Sequence, residues 1–225
     1  MTLSISKKSD ANIRFARKYK TKTKSTTKLK SKLLSSVVAL SGVPSTGKTT
    51  LAKKWCLKFG WEYISLNDVV NKNKLYTKVD PSDGAKIVDL KKLKYFANSI
   101  ISKIRKKNKS AIIEGHLACE IKLDVDKIII LRLDPNIIAK RLSKRSYSKQ
   151  KINQNIESEC LDYCTIISQK NYARNNIYEI DMTKKSTTSN LNSLKNIIFC
   201  KDKTTLSHML ASNSLVNWSK YLLKL

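Results

Sequence analysis

The chain has 225 residues, 41% hydrophobic and 28% charged, with 45 Lys and Arg against 17 Asp and Glu. That length supports one sizeable core with appendages, and no run of about 18 apolar residues is present to span a membrane. The net charge of +28 suits a polyanionic partner such as RNA, or an acidic membrane surface, although a codon bias toward Lys, Asn and Ile is an equal source of it.

The five cysteines, at 56, 119, 160, 164 and 200, form no C-x-x-C pair, and His116 and His208 are the only histidines. This usage points to reduced thiols and a cytoplasmic chain rather than to disulfides or zinc. Cys160 and Cys164, one helical turn apart, suit a buried helix face.

Residues 1–34 read as a disordered basic arm. Their first 32 positions carry eleven Lys and Arg and a single acid, Asp10. Too little apolar surface is present there to offset the entropy of ordering. A transit peptide has a similar composition, which would place the chain in an organelle. A polyanion-binding arm is the reading preferred here, because neither an amphipathic Arg helix nor a cleavage signal shows.

From residue 35 the pattern changes. Ser36-Val-Val-Ala-Leu-Ser41 has the look of a strand buried on both faces. After a Gly-rich loop, residues 48–59 place Leu51, Ala52, Trp55, Cys56 and Phe59 at helical spacing, and Gly60 ends that helix. Residues 61–65 read as a second strand, and Asp68 is placed to cap the helix after it. Residues 71–86 look like a polar excursion. A helix is expected over 89–107, then strands over 111–113 and 127–133. Asp134-Pro135 opens a helix over 135–145. A long helix is expected over 151–174, a fifth strand over 177–180, and another helix over 187–198. The tail, 201–225, holds two short helical candidates, one carrying Trp218 and Tyr221. Strands alternating with helices imply an α/β fold with a parallel sheet and helices on both faces.

The loop after the first strand reads SGVPSTGKTT, and it holds two of the chain's five glycines. This is G-x-x-x-x-G-K-[ST], the P-loop pattern, with the strand before it and the helix after it that the motif requires. Gly42 and Gly47 allow a turn that aims N–H groups at one phosphate. Lys48 supplies a cation to the β/γ-phosphates. Thr49 can ligate Mg²⁺, and Thr50 can bond the α-phosphate. Ser45 stands where many related loops have glycine; its N–H remains on offer and the loop is stiffer.

Further blocks follow in order: Tyr63-Ile-Ser-Leu-Asn-Asp68, Ile87-Val-Asp89, Ile112-Ile-Glu-Gly-His116, Leu131-Arg-Leu-Asp-Pro135, Arg141-Leu-x-x-Arg145-x-Tyr147 and Glu157-Ser-Glu159. With the loop, they resemble the atypical adenylate kinases, a family of archaeal proteins and a eukaryotic nuclear isoenzyme that also serves ribosome assembly. The resemblance spans about residues 36–200. It implies a P-loop NTPase fold with a five-stranded parallel sheet, a short NMP-binding segment at about 65–88 and a lid at about 144–154. It implies ATP and Mg²⁺, reversible phosphoryl transfer to AMP or a related NMP, and an intrinsic ATPase. It also implies a role in small-subunit rRNA maturation through a ribosomal protein, and a nuclear location if the source is eukaryotic.

The resemblance further implies residue roles. Arg145 would contact ATP from the lid, with Arg141 one helical turn before it and able to reach the same phosphates. Glu114 would order Mg²⁺ or its waters, and His116 would orient an attacking water or a phosphate; the family often has aspartate at the position of Glu114. Asp68 and Asp89 would lie on the acceptor side, each with helix capping as the alternative. Arg132, at a strand's carboxyl end, either meets substrate or faces solvent. Broader alternatives remain: an assembly ATPase with incidental kinase turnover, or a non-catalytic RNA or ribosome binder.

Overall fold

β1 (Val37–Ser41) is buried along its whole length, so its alternating side chains must feed two cores at once. A computed structural model describes residues 36–81, 84–183, 186–199, 216–218 and 220–221. The arm at 1–34 and most of the tail at 201–225 lie outside the described residues. Val37 and Ala39 enter one cluster, with Leu93, Ala97, Ile128, Ile130 and Ile138. Val38 and Leu40 enter the other, with Leu51, Trp55, Ile129, Leu194 and Ile197.

The remaining elements follow in chain order: α1 (Lys48–Phe59), β2 (Glu62–Ser65), α2 (Leu66–Lys72), β3 (Tyr76–Val79), β4 (Lys86–Val88), α3 (Leu90–Lys106), β5 (Ala111–Glu114), β6 (Lys127–Arg132), α4 (Pro135–Ser143), α5 (Lys149–Cys160), α6 (Tyr163–Asn171), β7 (Ile177–Asp181) and α7 (Thr187–Phe199). The main sheet has five strands in the order β2-β5-β1-β6-β7, every pair parallel. The expected α/β architecture is therefore present. Because β1 is the central strand, the loop at its carboxyl end opens at the point where ligands enter such sheets.

The second core is built on aromatic contact. Trp55 meets Phe59, Trp61 and Phe199 at centroid distances of 4.1, 5.5 and 5.7 Å, which pins α1 and α7 to the sheet.

Three expectations are corrected. The polar excursion at 71–86 contains β3 and the start of β4, paired antiparallel in a separate hairpin. Buried Leu75 anchors its base, and Asp89 N donates to Leu75 O at 3.0 Å. The long helix over 151–174 is two helices. Asp162 breaks it with a left-handed φ of 53°, so Cys160 and Cys164 are both buried but on different helices. The helix expected over 135–145 stops at Ser143, which puts Arg145 in the turn that follows it.

Candidate active site

Most helices of the domain open on a side-chain cap. Ser65, Asp89, Asp134 and Ser148 accept a main-chain N–H at the starts of α2, α3, α4 and α5. α1 has none: its N-cap is Gly47, at φ 102°. The first-turn N–H groups of a helix have no intrahelical acceptor, so these donors, with the positive end of the helix dipole, are left for an anion.

The loop before α1 is held tightly. A Cβ on Gly42 would come within 2.6 Å of Leu131 O, and its φ is 134°, so only glycine fits between the loop and β6. Lys48 is buried, and its Nζ donates to Gly42 O at 2.8 Å and Val43 O at 2.9 Å. Burial pushes its ammonium pKa down, with the nearby Glu114 carboxylate acting the other way. A phosphate beside it would act in the same sense as that carboxylate and favour the charged ammonium.

Across the loop, β5 supplies the carboxylate. Ser65 sits opposite Glu114 and Tyr63 opposite Ile112, so Tyr63 and Glu114 share a face of the sheet two positions apart. Thr49 Oγ1 donates to Glu114 Oε1 at 3.2 Å, and Tyr63 Oη donates to the same oxygen at 2.8 Å. Glu114 is buried while Thr49 is exposed. Burial, and then the bond to Glu114, raise the Tyr63 phenol well above its ordinary range. A hydroxyl and a hydrogen-bonded carboxylate fit one side of a hard divalent cation, whose other positions would be filled by phosphate and water oxygens.

His116 begins the turn after β5. Ser41 Oγ and Cys119 Sγ both donate to its carbonyl, each at 3.1 Å. His116 is exposed as a residue, yet the protein packed around its imidazole and the Lys48 ammonium push its pKa down to about 4. The imidazole is neutral at physiological pH.

From the other side, Arg141 Nη1 donates to Ser45 O at 2.9 Å. Arg141 and Arg145 line one cleft of about 310 Å³ with Ser45, Thr46, Gly47 and Thr50, closed by Leu51, Met182, Thr187 and Asn190. Two cations thus face the uncapped end of α1.

The remaining sequence assignments divide. Asp68 lies exposed in the first turn of α2, but it is not the cap: Ser65 Oγ accepts from Asp68 N at 3.3 Å. Asp89 is a cap. It accepts from Lys92 N at 3.0 Å, and that bond, aided by the Lys92 ammonium, holds its carboxyl low. Arg132 does not face solvent. It is 2% exposed and donates to Glu159 at 2.8 Å, to Glu179 at 2.8 Å and to Asp162. These carboxylates raise its pKa against the cost of burial. Its donors are engaged in tying β6 and β7 to the α5–α6 break, so the assignment of Arg132 to substrate is corrected.

Tyr63, Met182, Thr187 and Asn190 were not foreseen as site residues. Tyr63 had two signals, its place near the carboxyl end of a strand and its lead position in the block Tyr63-Ile-Ser-Leu-Asn-Asp68, though neither assigned it a role. The other three sit in β7's exit and in α7, far along the chain and within no motif.

An uncapped helix behind a Gly-Lys-Thr loop, at the carboxyl end of a central parallel strand, defines a P-loop nucleotide-binding α/β protein. A family model described as an AAA domain matches residues 38–162. The chain is 37% identical over 148 residues to a protein of Methanocaldococcus jannaschii named "Putative adenylate kinase", which covers 66% of this chain and 77% of that protein. Proteins of the same name from Pyrococcus abyssi and Pyrococcus furiosus are 34% and 31% identical, over 67% and 82% of this chain and 77% and 92% of theirs. The chain belongs to this atypical adenylate kinase-like family.

Proposed function

We propose that this protein is a nucleoside monophosphate kinase that moves the terminal phosphate of ATP to AMP or a related NMP. The observation that carries this reading is the convergence of Lys48, the Thr49–Glu114 pair, Arg141 and Arg145 around the uncapped start of α1. The names of the family's relatives support the adenylate kinase assignment.

Phosphoryl transfer asks little covalent chemistry of a protein. The acceptor phosphate oxygen is already a nucleophile, so the enzyme must align two anions, neutralise them and exclude water. MgATP would be the substrate, and its magnesium would supply charge neutralisation at the phosphates. Thr49 and Glu114 would hold that ion's protein side. The α1 N–H groups and the Lys48 ammonium would take the β- and γ-phosphates. Arg145, in the turn after α4, would close over them, with Arg141 beside it. Asp68 is assigned to the acceptor side, where it is exposed at the start of the 65–88 segment.

A second reading is an ATPase that serves small ribosomal subunit maturation, bound to a ribosomal protein and, through the arm 1–34, to rRNA. A neutral His116 beside Lys48 favours it, because such a ring can orient water, and the charge of +28 suits an RNA-rich setting. ADP formation from MgATP with and without AMP separates the two. A large AMP-dependent rise, with two ADP per cycle, is expected. A slow rate indifferent to AMP would replace the kinase reading with the ATPase.

A further inference from the structure

We propose that the Ser45 hydroxyl is itself a ligand for the nucleotide's phosphates, a hydrogen-bond donor beyond the main-chain groups of its loop. The proposal rests on the reading of the cleft as a nucleotide site and adds a contact that glycine at this position could not make.

Three observations meet at Ser45. Its φ is 70°, a region that a residue with a Cβ enters only at a cost. Of the five non-glycine residues at positive φ among those described, Ser45 alone is buried; Lys74, Asn108 and Ser146 are exposed and Asp162 is half-buried. Strain of this kind, held in a functional loop, calls for a reason. Second, Ser45 is 7% exposed, and its Oγ is buried without a hydrogen-bond partner among the described residues. A buried hydroxyl is costly to leave in that condition. The loop is able to satisfy a hydroxyl, because the neighbouring Thr46 Oγ1 donates to Val43 O at 3.0 Å. Third, Ser45 forms part of the wall of the phosphate cleft, next to Gly47 and Thr50.

Arg141 bonds the main chain of the same residue. Its guanidinium lies over the loop and donates to Ser45 O at 2.9 Å. A phosphate is a stronger partner for a guanidinium than a neutral carbonyl. An arriving phosphate therefore competes with that carbonyl for Arg141, beside the hydroxyl that meets the same anion. The hydroxyl then donates to a phosphate oxygen, which ends its isolation.

The test compares Ser45→Ala and Ser45→Gly with the wild type, by calorimetric titration of MgATP and of AMP and by thermal unfolding without nucleotide. Both variants are expected to bind MgATP on the order of tenfold more weakly, with AMP titration unchanged. Both are expected to melt higher than wild type, Ser45→Gly the more so, since alanine removes only the isolated hydroxyl while glycine also removes the strain. MgATP binding as tight as wild type in either variant would overturn the proposal. A wild-type protein that takes up MgATP but shows no AMP-dependent turnover would remove the kinase reading and leave this one standing. A wild-type protein that takes up no MgATP would remove both.

Discussion

Tyr63 Oη donates to Glu114 Oε1 at 2.8 Å, joining the edge strand β2 to the carboxylate of β5. The same oxygen accepts from Thr49 at 3.2 Å, so Tyr63 sets the direction in which Glu114 can present its charge. Second partners of this kind govern metal affinity. Tyr63→Phe should raise the Mg²⁺ concentration needed for half-maximal turnover by about tenfold and leave the KM for AMP unchanged. An unaltered magnesium profile would mean that Thr49 alone orients the carboxylate.

Lys48→Ala removes the one ammonium that the loop carbonyls hold at 2.8 and 2.9 Å. We expect AMP-dependent transfer and hydrolysis both to fall by about a hundredfold or more, read as ADP release under saturating MgATP. Near-normal turnover in this variant would remove the phosphate-loop assignment.

His116 gives a pH test. Its folded pKa of about 4 lies below the ordinary value of 6.5, so its contribution to stability is complete above 6.5. That contribution is lost as the pH falls toward 4, because the unfolded chain binds the proton first. In NMR, one imidazole should therefore titrate near 4, and that signal should vanish in His116→Gln. A midpoint near 6.5 would place the ring in open solvent away from Lys48. His116→Ala should lower hydrolysis more than transfer; equal losses would remove its part in orienting water.

Arg132 is predicted to matter for stability and not for substrate affinity. Arg132→Met leaves Glu159 and Glu179, 2% and 1% exposed, without their shared cation. Removing one partner of such a buried network costs about 3–5 kcal/mol, measurable by urea unfolding. A loss below about 1 kcal/mol would show that the ion pairs with Arg132 do not hold β6 and β7 to the α5–α6 break.

Deleting residues 1–30 should leave AMP-dependent rates intact and weaken salt-sensitive binding to RNA, since eleven of the chain's 45 Lys and Arg lie within 1–32. The slope of log affinity against log salt should flatten. A kinase that fails on this truncation would make the arm part of the folded domain.

The sequence by itself determined the frame of this protein. The apolar run that makes up most of β1, the two glycines bracketing a tight loop, and the Gly-Lys-Thr that opens the helix after it are local facts. Local facts follow from backbone sterics and side-chain periodicity, which need no partner from elsewhere in the chain. For the same reason Asp134-Pro135 named its helix start correctly. The tertiary structure decided whatever depended on meeting a distant residue. The stripe over 151–174 has helical spacing throughout, yet the chain turns at Asp162, whose carboxylate is bonded by Arg132, thirty positions away. Periodicity cannot register that bond. Arg132 had the position of a substrate ligand, but the carboxylates of Glu159 and Glu179 converge on it only once β6, β7 and α5 are packed. Tyr63 reaches Glu114 because β2 lies beside β5, a neighbour relation set by the strand order. Burial and charge pairing are properties of the assembled sheet, and they assigned these side chains their parts.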